Sequence, residues 1–190
     1  MKINNFFKKI SSNRKYLFDS NEINRFLTFD RILNPHSKLA TVNSLQNYFE
    51  KPEFTHQQVL RFMDVLAENY DSYLEHLYNN SNNVVKRDTS VCYYDCTNYY
   101  FEIESADEIY YDEVTGEQLY GLRQFGPCKE HRPNPIVEMG LFMDKNGIPI
   151  HMGIFPGNTN EQKTVSSLEQ KTIRMLKGNR FIYCGDAGLG

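Results

Sequence analysis

Residues 90–103 read SVCYYDCTNYYFEI, and the two runs inside this stretch, SVCYYD and TNYYFEI, decide the fold. Both are rich in tyrosine, valine, threonine, isoleucine and phenylalanine, side chains that fit a pleated, half-buried surface. Everything upstream reads with a different period. In residues 55–80, THQQVLRFMDVLAENYDSYLEHLYNN, the positions Val59, Phe62, Met63, Leu66, Tyr70, Tyr73, Leu74, Leu77 and Tyr78 recur at helical spacing. That spacing predicts one long helix, capped by Thr55. A second helix is predicted over INRFLTFDRIL, residues 23–33, with N-cap candidates in Asp19-Ser20-Asn21 and a stop at Asn34-Pro35. A short third one follows Ser37.

The polar run NNSNN, residues 79–83, has no periodicity and marks a boundary. It divides a mainly helical region, 1–83, from a strand-forming region, 84–190. Within the latter, IVEMGLFMD (136–144) and IPIHMGIF (148–155) flank Lys145-Asn146-Gly147, which predicts a hairpin. EQKTVSSLEQKTIRMLK (161–177) reads as a helix with Val165, Leu168, Ile173 and Leu176 on its apolar side, closed by Gly178. RFIYCGD (180–186) returns as a strand. Strands in series, then a helix, then a strand predict a mixed sheet with a crossover helix, an α+β or mixed α/β class. Residues 104–135 are too long for an idle loop and read as an irregular excursion or an extra hairpin.

Composition excludes several classes. With 40% hydrophobic and 24% charged residues in 190, the chain can bury a core, and disorder is unfavoured. There is no apolar run of membrane-spanning length and no apolar signal segment, so the chain is expected in the cytoplasm, without a membrane partner. Cys92, Cys96, Cys128 and Cys184 form no C-x-x-C pair, which leaves reduced, mostly buried thiols as the reading. Residues 1–87 carry 12 Lys+Arg against 9 Asp+Glu, and residues 88–190 carry 9 against 15. The basic start, Lys2, Lys8, Lys9, Arg14 and Lys15, reads as a solvated arm or a phosphate contact. No P-loop, G-x-G-x-x-G, H-E-x-x-H or G-x-S-x-G motif is present, so nucleotide, dinucleotide, zinc-protease and serine-hydrolase chemistry has no support.

Two aspartates carry the chemistry. Asp95 follows VCYY and Asp186 follows RFIYCG, so each is expected to close an apolar strand. If those strands are parallel neighbours, both carboxylates leave the sheet together. Close carboxylates repel unless a cation lies between them, and an all-oxygen acidic set suits Mg²⁺.

The string YYDCTNYYFE (93–102), the block GPCKEHRPNPIVEMGLFMDKNGIPI (126–150), the run FPGNTNEQKT (155–164) and FIYCGDAGL (181–189), in this order, resemble DDE-type bacterial transposases of the insertion-sequence-four superfamily. LNPHSKLAT (33–41) and the long helix resemble the same family's upstream region. The resemblance implies an incomplete ribonuclease-H-like catalytic domain over 84–190 and a region that contacts DNA ends over 1–83. It implies that Asp95 and Asp186 are the first two acids of a catalytic, metal-holding triad. Two Mg²⁺ ions, or Mn²⁺ in their place, would serve strand cleavage and strand transfer on element-end and target DNA, near the nucleoid. Homodimers around paired ends are implied as well. The third acid, a Glu, should stand well after Asp186, and only AGLG follows, so the chain resembles a C-terminally truncated member, inactive alone. A dead DNA-binding or inhibitory fragment that pairs with full-length transposase, or a non-functional remnant, is the alternative. Lys129, His131 and Arg132 are candidate DNA contacts, or partners for the acidic residues of the excursion. Cys128 stands where the family pattern has Ser, and Glu138 where Gln is common, which adds charge beside a presumed DNA path.

Overall fold

The computed structural model describes residues 2–12, 14, 16–116, 118–177 and 182–185, which divide into two units, Met1–Val84 and Val85–Gly190. The first unit holds five α-helices: α1 (Ile3–Ser11), α2 (Ser20–Leu33), α3 (Lys38–Ser44), α4 (His56–Glu68) and α5 (Tyr70–Ser81). Three starts follow from local chemistry. Asp19 accepts from the Asn21 and Glu22 amides, Ser37 accepts from Ala40, and Thr55 with Gln58 forms a reciprocal capping box.

Two expectations are corrected. The basic start is no solvated arm, because residues 3–11 coil into α1, which buries Phe6 and Phe7 against Phe62 and Tyr73 while Lys8 and Lys9 stay exposed. The single helix over 55–80 is two, broken at Asn69, whose side-chain amide donates to the Val65 carbonyl at 2.8 Å. Asparagine competes for helical carbonyls in this way, and its backbone leaves helical geometry at φ −111° and ψ 18°.

The helices close on Phe7, Ile23, Phe26, Val59 and Phe62, all nearly solvent-free. Each such side chain contributes about 1.5–3 kcal/mol by burial. One carboxylate is buried with them. Asp30 of α2 accepts from Thr41 Oγ1 at 2.5 Å and from the Tyr48 hydroxyl at 2.7 Å, and His36 Nδ1 lies 3.1 Å away. Burial raises its pKa, but these two hydrogen bonds and the His36 charge outweigh it and hold Asp30 below the ordinary carboxylate range.

The second unit holds β1 (Val91–Tyr100), β2 (Ile109–Tyr111), β3 (Gln118–Tyr120), β4 (Ile136–Met143), β5 (Pro149–Pro156), α6 (Glu161–Met175) and β6 (Ile182–Cys184). A mixed four-stranded sheet runs β5-β4-β1-β6, and β2 pairs with β3 as a separate hairpin, so the 104–135 excursion contains an extra hairpin. β1 is antiparallel to β4 and parallel to β6. The crossover helix α6 is capped by Asn160, whose side chain accepts from Gln162. Its buried side is Thr164, Val165, Leu168, Thr172 and Met175, whereas Ile173 is exposed. The face lies away from Ile173 because threonines fill two core positions, their hydroxyls satisfied by the Glu161 and Leu168 carbonyls.

The turn of the β4–β5 hairpin is more than a turn. Asp144 is fully buried; its Oδ1 accepts from the Asn146 and Ile148 amides, and its Oδ2 meets Arg87 Nε at 2.5 Å. Arg87 also donates to the Ile148 and Pro149 carbonyls. Both charged groups are therefore desolvated but fully engaged. Removing one partner strands the other, and such breaks cost about 3–5 kcal/mol. Arg87→Met and Asp144→Asn are each expected to lower the urea-unfolding free energy by that order, with the double variant losing clearly less than their sum. Strict additivity would show that the pair is not coupled.

Candidate functional site

β1 lies between β4 and β6 in the sheet, and its alternation separates two kinds of surface. The even residues Cys92, Tyr94 and Cys96 are buried on the side that α6 covers. The Tyr94 hydroxyl lies 2.6 Å from Thr164 Oγ1, and the Cys96 thiol lies 3.3 Å from that hydroxyl. Gly140 makes this possible, since a Cβ there would fall 2.2 Å from the Tyr94 hydroxyl oxygen. Burial pushes the Cys92 thiol up to about 11, so it stays protonated at neutral pH.

The odd residues Tyr93, Asp95, Thr97 and Tyr99 leave the opposite face. There they meet Met143, Leu141, Met139 and Val137 of β4 in register. This face is open, with Tyr93, Tyr99, Ile154 and Ile182 all substantially exposed. Asp95 is exposed in its centre, and among the described residues no hydrogen bond or ion pair engages its carboxylate. Asp95 does not close its strand, contrary to the reading of VCYYD: β4 pairs continuously from Tyr93 to Tyr100 and carries the strand through it. Asp186 lies outside the described residues. β6 itself pairs with β1 through Val91 and Ile182, Cys92 and Tyr183, and Tyr93 and Cys184, an offset of 91 at every pair.

Lys129, His131 and Arg132 gather along the second half of β1. Lys129 donates through Nζ to the Cys96 carbonyl, and its amide lies 3.4 Å from Asn98 Oδ1. Arg132 stacks 4.1 Å over the Tyr100 ring and pairs with Glu130 at 3.0 Å. His131 is exposed with a left-handed φ of 55°. Asn98, which accepts from the Lys129 amide, and Tyr100, under the Arg132 guanidinium, alternate with Asp95 and leave the sheet on the face away from it, while the Lys129 ammonium is held by a backbone carbonyl. Among the described residues none of the three pairs with Glu108, Asp112 or Glu113, and in that acidic stretch Arg123 pairs with Asp107.

Glu138 also differs from its sequence reading. It lies opposite Asn98 on the α6 side, only 3% exposed, and its Oε2 finds no hydrogen-bond partner among the described residues. Apart from Glu138 itself the run IVEMGLFM is apolar and hides which side of β4 is which, so sequence could not assign it. Burial, reinforced by the Glu161 charge, pushes its pKa up to about 6 against the pull of Asn98 and Lys129.

No family model matches the sequence, and no curated protein matches it. Two solved structures are similar to it. They are the Mos1 transposase paired-end complex with left transposon end, at 14% identity and a TM-score of 0.28, and the Mos1 mariner paired end complex with Mn, at 14% and 0.27. In both comparisons 90% of this chain is covered and 52% of the other, so the chain spans about half the length of the chains it matches.

The position of Glu138 sets a pH-dependent cost. Its folded pKa lies above the ordinary 4.5, so the penalty is absent below about 4.5, grows as pH rises, and is complete above about 6. Glu138→Gln is expected to leave stability unchanged at pH 4 and to raise it by about 1–2 kcal/mol at pH 7. A gain of equal size at both pH values would point to packing instead of charge.

Proposed function

We propose that the chain contributes the first two acids of a metal-dependent DNA strand-transfer site, Asp95 and Asp186, in a transposase of the DDE type. The reading begins with the ordered sequence blocks that resemble insertion-sequence-four transposases. The observation that carries it is the β1–β6 register. Asp186 minus Asp95 is 91, the same offset as the three described pairs, so two further steps along the parallel ladder would bring these acids abreast on the open face. An unengaged carboxylate on an open, otherwise apolar face fits a cation better than it fits a structural role. Asp95 and Asp186 would hold Mg²⁺ or Mn²⁺, which when bound supplies Lewis acidity toward a phosphodiester oxygen and lowers the pKa of water.

The chain's own residues have distinct tasks. Asp95 sits on a strand paired with β4 from Tyr93 to Tyr100, so its position is set by the sheet and not by a loop. Tyr93 and Tyr99 share its face and offer rings on which unpaired bases could stack. Lys129 and Arg132 would attract the DNA backbone from the strand's far end, Arg132 after exchanging Glu130 for phosphate. The setting is cytoplasmic, at the nucleoid.

Manganese titration followed by electron paramagnetic resonance tests the site in the intact chain. Asp95→Asn is expected to weaken Mn²⁺ binding at least about tenfold, since a hard cation loses a charged oxygen ligand. Binding that is unchanged would remove Asp95 from the site. Any nicking of supercoiled DNA by the chain in Mg²⁺ or Mn²⁺ is expected to disappear with Asp95→Asn, and nicking that survives the substitution would remove Asp95 from the chemistry.

A further inference from the structure

Two surfaces that the proposed site does not use are opposite in charge and alike in apolar character. The first is the β2–β3 hairpin. All six of its strand residues are exposed, among them Ile109, Tyr110, Tyr111 and Leu119. Residues 101–122 contain seven acids and no lysine or arginine. A lone two-stranded ribbon is marginal in water, yet this one is fixed at both ends. At its base Asp107 and Arg123 exchange two backbone-linked hydrogen bonds and an ion pair at 2.5 Å. At its tip Asp112 Oδ1 accepts from the Val114 and Thr115 amides. An apolar, acidic ribbon is thus fixed at both ends with its strand residues exposed.

The second surface is a groove of about 310 Å³ among α2, α3 and α4. Leu27, Phe62, Met63 and Leu66 line it, Arg31 and Lys38 stand at it, and none of the lining residues is acidic. Neither Arg31 nor Lys38 forms an ion pair among the described residues. Two of its lining residues, Thr41 and His36, lie 2.5 and 3.1 Å from the buried carboxylate of Asp30. The groove therefore presents two cations, without an ion pair among the described residues, beside an apolar floor, at the small end of sites that hold large side chains.

We infer that the β2–β3 hairpin of one copy docks in the α2–α3–α4 groove of a second copy. The occupant is chosen by charge: the second unit carries an acidic apolar ribbon and the first a basic apolar groove, so the two surfaces of separate copies are complementary. Like surfaces do not pair, because ribbon on ribbon sets acid against acid and groove on groove sets base against base. Aromatic and aliphatic side chains supply burial, and the charges supply register and attraction. The contact needs no metal and no DNA, so it stands or falls separately from the Asp95 site.

Sedimentation equilibrium on the intact chain tests it. Association is expected at low salt and is expected to weaken at least about tenfold by 0.5 M NaCl, where screening acts over roughly 4 Å. Two variants reverse one surface each: Arg31→Glu with Lys38→Glu in the groove, and Glu108→Lys with Glu113→Lys in the hairpin, leaving Asp112 to hold the tip. Each alone is expected to be monomeric at concentrations where the parent associates, and an equimolar mixture is expected to associate again, which also shows that both fold. A parent monomeric at every concentration overturns the inference. So does a mixture that stays monomeric, including the case in which Arg31→Glu with Lys38→Glu instead abolishes binding to a DNA duplex.

Discussion

The second unit is organised by one strand paired on both edges in opposite senses. β1 accepts β4 antiparallel along almost its whole length and β6 parallel at its start, so neither edge is free where the two partners overlap. Pairing on both sides fixes the strand's roll, and roll fixes which side chains go inward. Cys92, Tyr94 and Cys96 have no choice but to face α6, and Tyr93, Asp95, Thr97 and Tyr99 no choice but to face away. A shift of one residue would exchange these sets, placing a carboxylate against α6 and a thiol in water.

Among the described residues the three buried carboxylates divide into two that are matched and one that is not. Asp30 and Asp144 are both nearly inaccessible, and each has its oxygens filled: Asp30 by two hydroxyls, Asp144 by Arg87 and two turn amides. These contacts specify geometry, joining α2 to α3 in one unit and fixing a hairpin turn in the other. Glu138 has no such set, and its oxygen Oε2 remains unmatched. The difference is one of partners and not of depth.

Local chemistry was legible and distant chemistry was not. Asp19, Ser37 and Thr55 announce helix starts because a cap acts over three residues, and Lys145-Asn146-Gly147 announces a hairpin for the same reason. The break at Asn69 escaped notice because both halves keep apolar residues in helical phase. α1 was hidden by its lysines, although Phe6 and Phe7 anchor it. Asp95 looked like a terminus because a charge in a strand interrupts the apolar pattern, and only pairing with β4 shows that the strand continues. The Arg87–Asp144 pair spans 57 residues and leaves no mark in either neighbourhood. Parity along β4 was unreadable for a similar reason, since both of its faces are apolar.

The unequal reach of the sheet's pairings orders its assembly. β4 meets β5 across a turn in which Met143 pairs with Pro149, whereas β6 meets β1 only after the chain has closed a loop of 91 residues. Chain-closure entropy makes that last pairing costlier by about 2 kcal/mol. Among the described residues three registered pairs offset it, against eight between β1 and β4. By chain-closure entropy the parallel edge is the costlier of the two seams on β1 to close, and whatever chemistry needs both strands together depends on that closure.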